Sequence, residues 1–483
     1  SGEGGGGGGG SGGAILIVPV LVYMLHHGDK QAIAESAAIV CGIALSGAIM
    51  LPPIALALAF DDGTTVAFVE SALLSLVVGG LLWLPVRRAR GELRLRDGFI
   101  VTTAIWVLVS GSCALPFMLG PTKLGFTDAY FEAASGLTTT GATVITNLDQ
   151  LPRSLLFYRQ SLCFLGGMGI VILAIAILPM LRIGGSQLFR AETTGPVKDT
   201  KLTPRIAETA RALWLVYVGL NAACALSFWL GGMTLLDAIG HAFSAVATGG
   251  FSTHDASIGY YDSPLLEALC ILFMFLGGIN FALHFVAWKR ATGGPYFRDS
   301  ELKAYFAIAL AVSAVVAFDV YANGVFPSFA ESLRHATFHT VSNMTTTGFT
   351  TTGFAGWPSF APMLLVLIGF VGGCSGSTSG GMKVVRVMIL FRQGAREVLQ
   401  LVHPRGRFLV KIGGHSVPGA VLAAVTAYCT LYVFSYVVMA LALAATGVDL
   451  VTAWSAVAAC INNMGPGLGV VSTHFRDLSD AAV

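Results

Sequence analysis

The sequence predicts an all-α polytopic membrane protein with four pseudo-repeats around one central axis, preceded by N-terminal extra helices. Three observations lead to this fold class. Hydrophobic residues make up 55% of the 483 positions and charged residues only 11%, whereas a soluble domain carries about 25% charged residues. Several apolar windows approach the ~20 residues that a helix needs to cross a bilayer. In addition, one short pattern of polar residues and glycine recurs four times.

The apolar windows set the order of the predicted spans. Each window is long enough to cross the hydrocarbon core as a helix and contains few charged side chains. The windows are 38–60, 65–85, 99–120, 160–181, 210–231, 264–288, 303–323, 359–391 and 415–446. The glycine-rich residues 1–13 are predicted to form a flexible segment. Residues 14–25 are apolar but too short to span the bilayer.

Basic residues distinguish the two sides of the membrane. Most of the 28 Lys and Arg residues fall in four loops, and the intervening loops hold few. These basic loops lie at 87–96, 182–211, 289–303 and 383–411. Because loops rich in Lys and Arg stay on the cytoplasmic side, the four basic loops are predicted to be cytoplasmic and the others to face outside.

Four segments on the predicted outer side define an internal repeat. They read SGLTTTGAT at 135–143, SAVATGGFS at 244–252, SNMTTTGFT at 342–350 and ACINNMGPG at 459–467. Each follows an amphipathic stretch of about a dozen residues, which is too short to span and carries an acidic residue near its start, as helix N-termini prefer. Each repeat is therefore predicted to be a helix, a re-entrant pore helix, a filter loop and a second helix.

The repeats divide the chain into predicted domains. The flexible segment 1–13 is followed by N-terminal extra transmembrane helices at 14–98. The four pore repeats follow at 99–182, 183–292, 293–411 and 412–483. The chain reaches Val483 before the position at which the other repeats place their second helix. The last helix of the fourth repeat is therefore expected to be missing.

The chemistry of the four loops suits a dehydrated cation. Backbone at membrane depth survives only where it is buried in protein or lines a water-filled path. Rings of backbone carbonyls replace the hydration shell of potassium, and glycine tolerates the dihedral angles that this requires. A single motif of this kind is explained as well by packing glycines, but four equivalent motifs favour an ion filter. The predicted ion-binding residues are Thr139, Thr140, Gly141, Thr248, Gly249, Gly250, Thr346, Thr347, Gly348, Asn463, Met464 and Gly465.

Longer stretches around these motifs resemble the TrkH-type pore subunits of the Trk/Ktr/HKT potassium transporter superfamily. The matching stretches are RQSLCFLGGMGIVILAIAILPML, QLFRAETTGPVKDTKLTPRIAETA, GGCSGSTSGGMKVVR and NNMGPGLG. The resemblance covers residues 40–480. It implies potassium uptake into bacteria through a gated, channel-like filter, with K+ as the bound ion, no organic cofactor and no enzymatic activity. In this family, glycine at all four filter positions favours potassium over sodium.

A dense run of glycine and serine interrupts the window 359–391. Its glycines are Gly372, Gly373, Gly376, Gly380 and Gly381. This density should unwind a helix. The resemblance implies an intramembrane gating loop beneath the filter, whereas a kinked and closely packed helix is the alternative. Lys383, just after the glycines, is expected to face the cytoplasm, and a direct role in gating is the alternative for it.

The resemblance also implies partners and a location. Proteins of this family form homodimers with one pore per protomer in the bacterial cell inner membrane. They dock on a cytosolic TrkA-like regulatory subunit that binds nucleotide, and the chain itself has no Walker motif. Lipid is the other expected partner, and no nucleic acid is expected. The sequence does not separate a channel from a carrier that couples potassium to sodium or proton symport.

Two other functions fit the sequence less well. The potassium-binding subunit of an ATP-driven pump shares the fourfold design, but the TrkH-like loop at 187–210 argues against it. A membrane-embedded enzyme needs converging acid, base or metal-binding residues. The histidines on the pore-helix stretches and after the second filter loop, His241, His335, His339 and His254, have no such spacing. The eight cysteines include no Cys-x-x-Cys pair, which favours buried core residues over a zinc site or disulfides.

Overall fold

The chain is mainly helical and forms two compact units. The computed structural model describes residues 46–86, 95–176 and 202–479, together with positions 43, 481 and 482. The first unit comprises Ser1–Ala134 with Leu151–Tyr158, and the second comprises Ser135–Gln150 with Arg159–Val483. All four predicted filter loops belong to the second unit. The flexible segment 1–13 and most of the predicted basic loop at 182–211 lie outside the described residues.

The first unit is built from apolar helices that pack around an aromatic cluster. Its helices are α1 (Leu51–Phe60), α2 (Thr65–Val86), α3 (Leu95–Cys113), α4 (Leu115–Leu119) and most of α5 (Phe126–Leu137). The buried ring of Tyr158 lies 5.3 Å from that of Phe68 and 5.4 Å from that of Phe117. Its hydroxyl donates to the carbonyl of Cys113 at 2.8 Å, so the polar end of this side chain is satisfied inside the core.

The second unit contains the remaining helices and one short hairpin. The helices are α6 (Arg153–Ala176, whose first turns belong to the first unit), α7 (Leu202–Leu230), α8 (Leu235–Val246), α9 (Pro264–Gly277), α10 (Phe281–Arg290), α11 (Gly294–Arg298), α12 (Ser300–Ala322), α13 (Phe329–Met344), α14 (Phe360–Val371), α15 (Val384–Val402), α16 (Gly419–Ala444) and α17 (Leu450–Asn462). Strand β1 (Lys411–Ile412) pairs antiparallel with β2 (His415–Ser416), with Lys411 opposite Ser416.

Five of the described helices are long and apolar enough to cross a membrane. They are Thr65–Leu84, Thr102–Leu119, Ala210–Leu230, Ser300–Ala322 and Gly419–Ala444. The window 264–288, predicted as one span, is instead a pair of helices bent by 97°. The break has a local cause, because the side chain of Asn280 accepts the Ala282 N–H at 2.9 Å and caps the start of α10. The window 359–391 is divided into α14 and α15 at its glycines, as predicted.

Four helices of 12 to 16 residues precede the glycine loops: α5, α8, α13 and α17. They are too short to cross the hydrocarbon core. The side chains of Thr234, Ser328 and Asp449 cap the last three by accepting backbone N–H groups in the first turn. Acidic residues in the first turn, such as Asp237 and Glu331, complement the positive end of the helix dipole. The prediction of acidic residues at these helix starts is confirmed.

The Gly-Gly pairs let the helix that follows a loop lie directly against the end of the short helix that precedes it. A Cβ added to Gly277 would lie 2.7 Å from the carbonyl O of Val246, the last residue of α8. One added to Gly166 would collide with the carbonyl of Leu137, the last residue of α5. Only glycine permits so close an approach. The second helix of a repeat therefore rests on the backbone that leads into the loop of the same or the following repeat.

Candidate functional site

The four predicted filter segments share one backbone conformation. The residue two positions before each glycine has positive φ, although it is never glycine: Thr139 at +59°, Thr248 at +53°, Thr346 at +56° and Asn463 at +55°. The glycines themselves follow at +81° for Gly141, +68° for Gly250, +84° for Gly348 and +87° for Gly465. Left-handed threonines are uncommon and costly. Their recurrence at equivalent positions indicates that the surrounding structure imposes this geometry.

The same two hydrogen bonds tie each segment to its short helix. The N–H of the residue before the glycine donates back to the helix: Thr140 to Ser135, Gly249 to Ser244 and Thr347 to Ser342, each at 2.8 Å, and Met464 to Ala459 at 2.7 Å. The N–H of the residue two positions before the glycine donates to a carbonyl three residues earlier, in the last turn of the same helix. These pairs are Thr139 to Gly136, Thr248 to Ala245, Thr346 to Asn343 and Asn463 to Cys460. Each C-terminus therefore leads straight into a loop, and its negative dipole end favours positive charge there.

The four glycines form a closed ring of contacts. A Cβ added to Gly141 would lie 2.5 Å from the carbonyl O of Gly249, and one added to Gly465 would lie 3.1 Å from that of Thr140. Cβ atoms added to the other two, Gly250 and Gly348, would collide with the carbonyl oxygens of Thr347 and Met464. In every case the partner is the carbonyl just before the glycine of the next segment. The order first to second, second to third, third to fourth and fourth to first closes the ring.

Hydroxyl and amide side chains reinforce the loops. Ser135 Oγ donates to the Ala142 carbonyl at 2.6 Å, and Ser342 Oγ donates to the Phe349 carbonyl at 2.7 Å, so each helix holds the residue after its own glycine. Thr140 Oγ1 donates to Asn463 Oδ1 at 3.0 Å, which joins the first segment to the fourth. The acceptor is the side-chain amide oxygen of Asn463, which stands where the other three segments have threonine.

A cavity of about 450 Å³ opens over the ring. All four ring glycines line it, together with the residues that follow them in each loop. The lining of the cavity includes hydroxyl-bearing residues such as Thr143, Ser252 and Thr350. The ring is therefore reachable on one side from a cavity that is large enough for several water molecules and is partly lined by hydroxyl groups.

An ionic cluster lies at the edge of this cavity. The His254 Nδ1 contacts Asp149 Oδ1, and its Nε2 lies 3.9 Å from Asp237 Oδ2. Burial lowers the pKa of His254, but the two carboxylates outweigh burial and raise the pKa above its ordinary value. Burial also raises the pKa of Asp149, but the hydrogen bond with His254 and the nearby positive charge hold it below its ordinary value. This cluster joins the loop after the first segment to the loop after the second.

The segment Gly372–Lys383 lies directly behind three of the loops. Thr378 Oγ1 donates to the carbonyl of Val246 at 2.9 Å and lies 3.1 Å from that of Gly277. The Gly380 N–H donates to Thr346 Oγ1 at 2.6 Å, and the Gly381 N–H donates to the carbonyl of Asn462 at 3.2 Å. A Cβ on Gly373 would lie 2.6 Å from Ser379 Oγ, and one on Gly380 would collide with the Asn462 carbonyl. The glycines thus allow a non-helical loop to pack against the back of the ring.

The Lys383 ammonium turns back onto the loop that precedes it, and its cytoplasmic orientation stays a prediction. Lys383 Nζ donates to the carbonyl of Ser379 and lies 3.4 Å from that of Ser377. These carbonyls belong to a non-helical loop and need donors, which explains why the side chain turns back. Gly372 and Gly376 have φ of +72° and +74°, so both adopt a conformation that other residues reach at a cost.

Sequence reasoning missed two residues that the structure brings to the site. Arg159 is 1% exposed and its guanidinium contacts the loops after two of the ring glycines. An arginine directly beside the apolar window 160–181 is a signal that could have found it. Thr378 lies within the run of glycine and serine and was given no role of its own, whereas its hydroxyl contacts two main-chain carbonyls. Among the histidines, His241 is fully buried and its Nε2 lies 2.9 Å from Ser252 Oγ.

Comparison with known proteins identifies the family. The model of the family described as TrkH, cation transport protein, matches residues 64–483. The Trk system potassium uptake protein TrkH of Vibrio parahaemolyticus is 49% identical over 445 residues, 91% of each chain. Its counterpart in Escherichia coli K12 is 45% identical over 441 residues, 91% of each chain. The protein TrkG of the same strain is 42% identical over 434 residues, 90% of this chain and 89% of that one.

The fold agrees with these matches. The crystal structure of the potassium transporter TrkH from Vibrio parahaemolyticus superimposes with a TM-score of 0.85 at 46% identity, covering 93% of each chain. The fold and the matches define the class: a helical membrane protein that transports cations, not an enzyme. The chain belongs to the TrkH family of cation transport proteins, and the resemblance seen in its sequence is confirmed.

Proposed function

We propose that this protein carries potassium into the bacterial cell through a gated, channel-like filter made of its four Thr/Asn-x-Gly loops. The observation that carries the proposal is the closed ring of glycines, in which each glycine abuts the carbonyl that precedes the next. The proposed ion-binding residues are the twelve residues of the four loops, with their backbone carbonyl oxygens as the proposed ligands. The relatives named as potassium uptake proteins support potassium as the ion.

The energetics favour a filter of backbone oxygens. Moving a monovalent ion into a low-dielectric interior costs about 20 kcal/mol in an idealised estimate, so an ion path must replace the hydration shell. Alternating positive and ordinary φ, as at Thr139, Thr140 and Gly141, turns successive peptide units and presents oxygens along one side of the loop. The four helix C-termini add negative dipole ends at the same place. Carbonyl rings of this kind conduct potassium.

The segment Gly372–Lys383 is the proposed gate. It contacts the backs of the second, third and fourth loops through Thr378, Gly380 and Gly381, so its position is coupled to theirs. Its φ-positive glycines allow it to rearrange without breaking a regular helix. The Lys383 ammonium holds the loop in the present arrangement through carbonyls of the loop itself.

The proposal includes the assembly that the family resemblance implies. The protein sits in the inner membrane as a multi-pass homodimer, with its filter loops facing outside and its basic loops in the cytoplasm. A cytosolic TrkA-like subunit binds nucleotide and moves the gate. K+ is the only proposed bound ion and the transported substrate.

The test is rubidium uptake into proteoliposomes that hold the purified protein, with sodium uptake measured beside it. Gly348→Asp places a carboxylate within the ring and should abolish selective rubidium uptake. Gly324→Asp is the matched control, because Gly324 also has positive φ, at +68°, but has no atom within 4 Å of an added Cβ. It shares the backbone strain and leaves the ring intact. Equal uptake by the two variants would mean that the ring does not conduct.

A further inference from the structure

We infer that Arg159 is a positioning residue that ties the outer ends of the first and second loops together and so sets the ion selectivity of the ring. This inference rests on the proposed function and deepens it. Arg159 is among the largest fully buried side chains of the described residues, at 1% exposure. It lies on α6, and its partners Thr143, Phe251 and Ser252 belong with it to the second compact unit.

The guanidinium bridges two loops with one rigid group. Its Nη2 donates to Thr143 Oγ1 at 3.0 Å, two residues after Gly141. Its Nη1 donates to the carbonyl of Ser252 at 3.2 Å, two residues after Gly250. A guanidinium is planar and presents its donors in a fixed fork. The rigid guanidinium and its two hydrogen bonds therefore fix the distance between Thr143 and Ser252, at the points where the two loops leave the ring.

An aromatic ring completes the pocket of the arginine. The Arg159 Cζ lies 4.2 Å from the centroid of the Phe251 ring, which is cation–π distance. Phe251 directly follows Gly250 and is 1% exposed. Movement of the second loop would therefore separate this pair as well as the bond to Ser252. Arg159 also lines the cavity over the ring, so it lies beside the proposed ion path and not remote from it.

A buried positive charge beside the proposed cation path calls for a structural reason. Such a charge repels the incoming ion, and burying it is costly unless it is well paired. The matching positions before the other two Gly-Gly pairs hold Cys270 and Leu365, which are uncharged and fully buried. The arginine is thus not needed to fill space in a repeat. What distinguishes it is the link that its fork makes between neighbouring loops.

Selectivity depends on the spacing and the number of oxygens that face the ion. Adjacent loops touch through the contact between Gly141 and the Gly249 carbonyl. Loss of the arginine fork frees the two loop exits to move apart just outside this contact. The wider ring then accepts sodium with water still attached, while rubidium continues to pass. A change in the ratio of the two ions is the expected signature, with flux retained.

The experiment compares rubidium and sodium uptake into proteoliposomes for the full chain and four variants. Arg159→Lys keeps the charge but loses the fork, and Arg159→Gln loses both. Thr143→Val keeps the arginine and removes one acceptor. Arg153→Gln is the control, because Arg153 is an exposed arginine on the same helix. Loss of one hydrogen bond to a charged group corresponds to about tenfold or more in an equilibrium, so the sodium-to-rubidium ratio should rise about tenfold in Arg159→Lys and Thr143→Val.

Arg159→Gln should raise the ratio at least as much, and Arg153→Gln should leave it unchanged. If Arg159→Gln does not reach the membrane, Thr143→Val decides, because it preserves the buried charge. The inference is overturned if Arg159→Lys and Thr143→Val keep the wild-type ratio. It is also overturned if Arg159→Gln raises uptake of both ions equally while Arg159→Lys behaves as wild type, since that result reports the field of the charge alone. Failure of the filter proposal looks different: the unaltered protein then shows no preference for rubidium.

Discussion

Replacing each ring glycine by alanine in turn tests the ring with the smallest change available. All four glycines have φ between +68° and +87°, so every alanine incurs left-handed strain of about 1–2 kcal/mol. The space for the new methyl group differs among them. At Gly465 the nearest atom, the Thr140 carbonyl O, is 3.1 Å away, and at Gly141 the Gly249 carbonyl O is 2.5 Å away. At Gly250 and Gly348 the methyl group would overlap a carbonyl oxygen.

These differences predict an order of damage. Gly465→Ala carries little beyond the backbone strain, which corresponds to a five- to thirtyfold effect at about 1–2 kcal/mol. At the other three positions a backbone oxygen must move, and overpacking of this kind adds about 1–3 kcal/mol. Gly250→Ala and Gly348→Ala should therefore be the most damaging, Gly141→Ala intermediate and Gly465→Ala the mildest. The displaced oxygens are the proposed ion ligands, so selectivity should follow the same order.

The assay is rubidium and sodium uptake into proteoliposomes at matched protein content, with the melting temperature of each purified variant as a measure of folding. The rubidium-to-sodium ratio should fall from Gly465→Ala through Gly141→Ala to Gly250→Ala and Gly348→Ala. An equal loss in all four variants would refute the reasoning, because it would show that φ alone matters. A most severe effect at Gly465 would refute the order of contacts around the ring.

Three further predictions concern other parts of the site. Lys383→Met removes the ammonium that binds the Ser377 carbonyl. Rubidium uptake measured without a regulatory subunit should rise about tenfold, which corresponds to the loss of one hydrogen bond from a charged group. An unchanged rate would contradict the proposal that Lys383 holds the gate segment in place. His254 has a raised pKa, so its charged form stabilises the folded outer loops below about pH 6.5, and this stabilisation is lost as pH rises through the raised pKa of the folded state. The melting temperature should therefore fall over this pH range, and the fall should be smaller in Asp149→Asn. An unaltered slope would count against the cluster. Thr234→Ala removes a helix cap and should cost about 1 kcal/mol, seen as a lower melting temperature with an unchanged ion ratio; a shifted ratio speaks against a purely structural cap.

Local chemistry made much of the fold predictable. The short pore helices followed from their length and from capping residues such as Asp449, and the break after α14 followed from the density of glycine. The break between α9 and α10 was not predicted, because the window 264–288 is apolar enough to span the membrane. A single polar residue, Asn280, changes the mean hydropathy of such a window very little. Its side-chain cap on Ala282 outweighs the apolar pattern locally.

The site was predictable as a set of positions but not as a set of contacts. The sequence places Thr139 and Gly141 in a repeated motif, yet only the fold shows which carbonyl meets which glycine, since the partners are far apart along the chain. The contacts of Lys383 were unpredictable for a related reason. Its charge suggested an aqueous environment, whereas unpaired loop carbonyls nearby offer the ammonium an alternative. Arg159 was passed over because arginines next to an apolar window usually lie at its edge.

The link between the first and fourth loops has a consequence for biosynthesis. Thr140 and Asn463, which are joined by a hydrogen bond, are 323 positions apart in sequence. A ribosome that adds 5–20 residues per second needs about 15–65 s to cover that distance. Throughout this interval the first loop has left the ribosome while the neighbour that completes its surroundings has not been made. Its backbone must be sheltered by water or by the insertion machinery, because lipid cannot satisfy it. The ring can therefore close only after the fourth loop has been made, even if contacts among the first three loops form earlier.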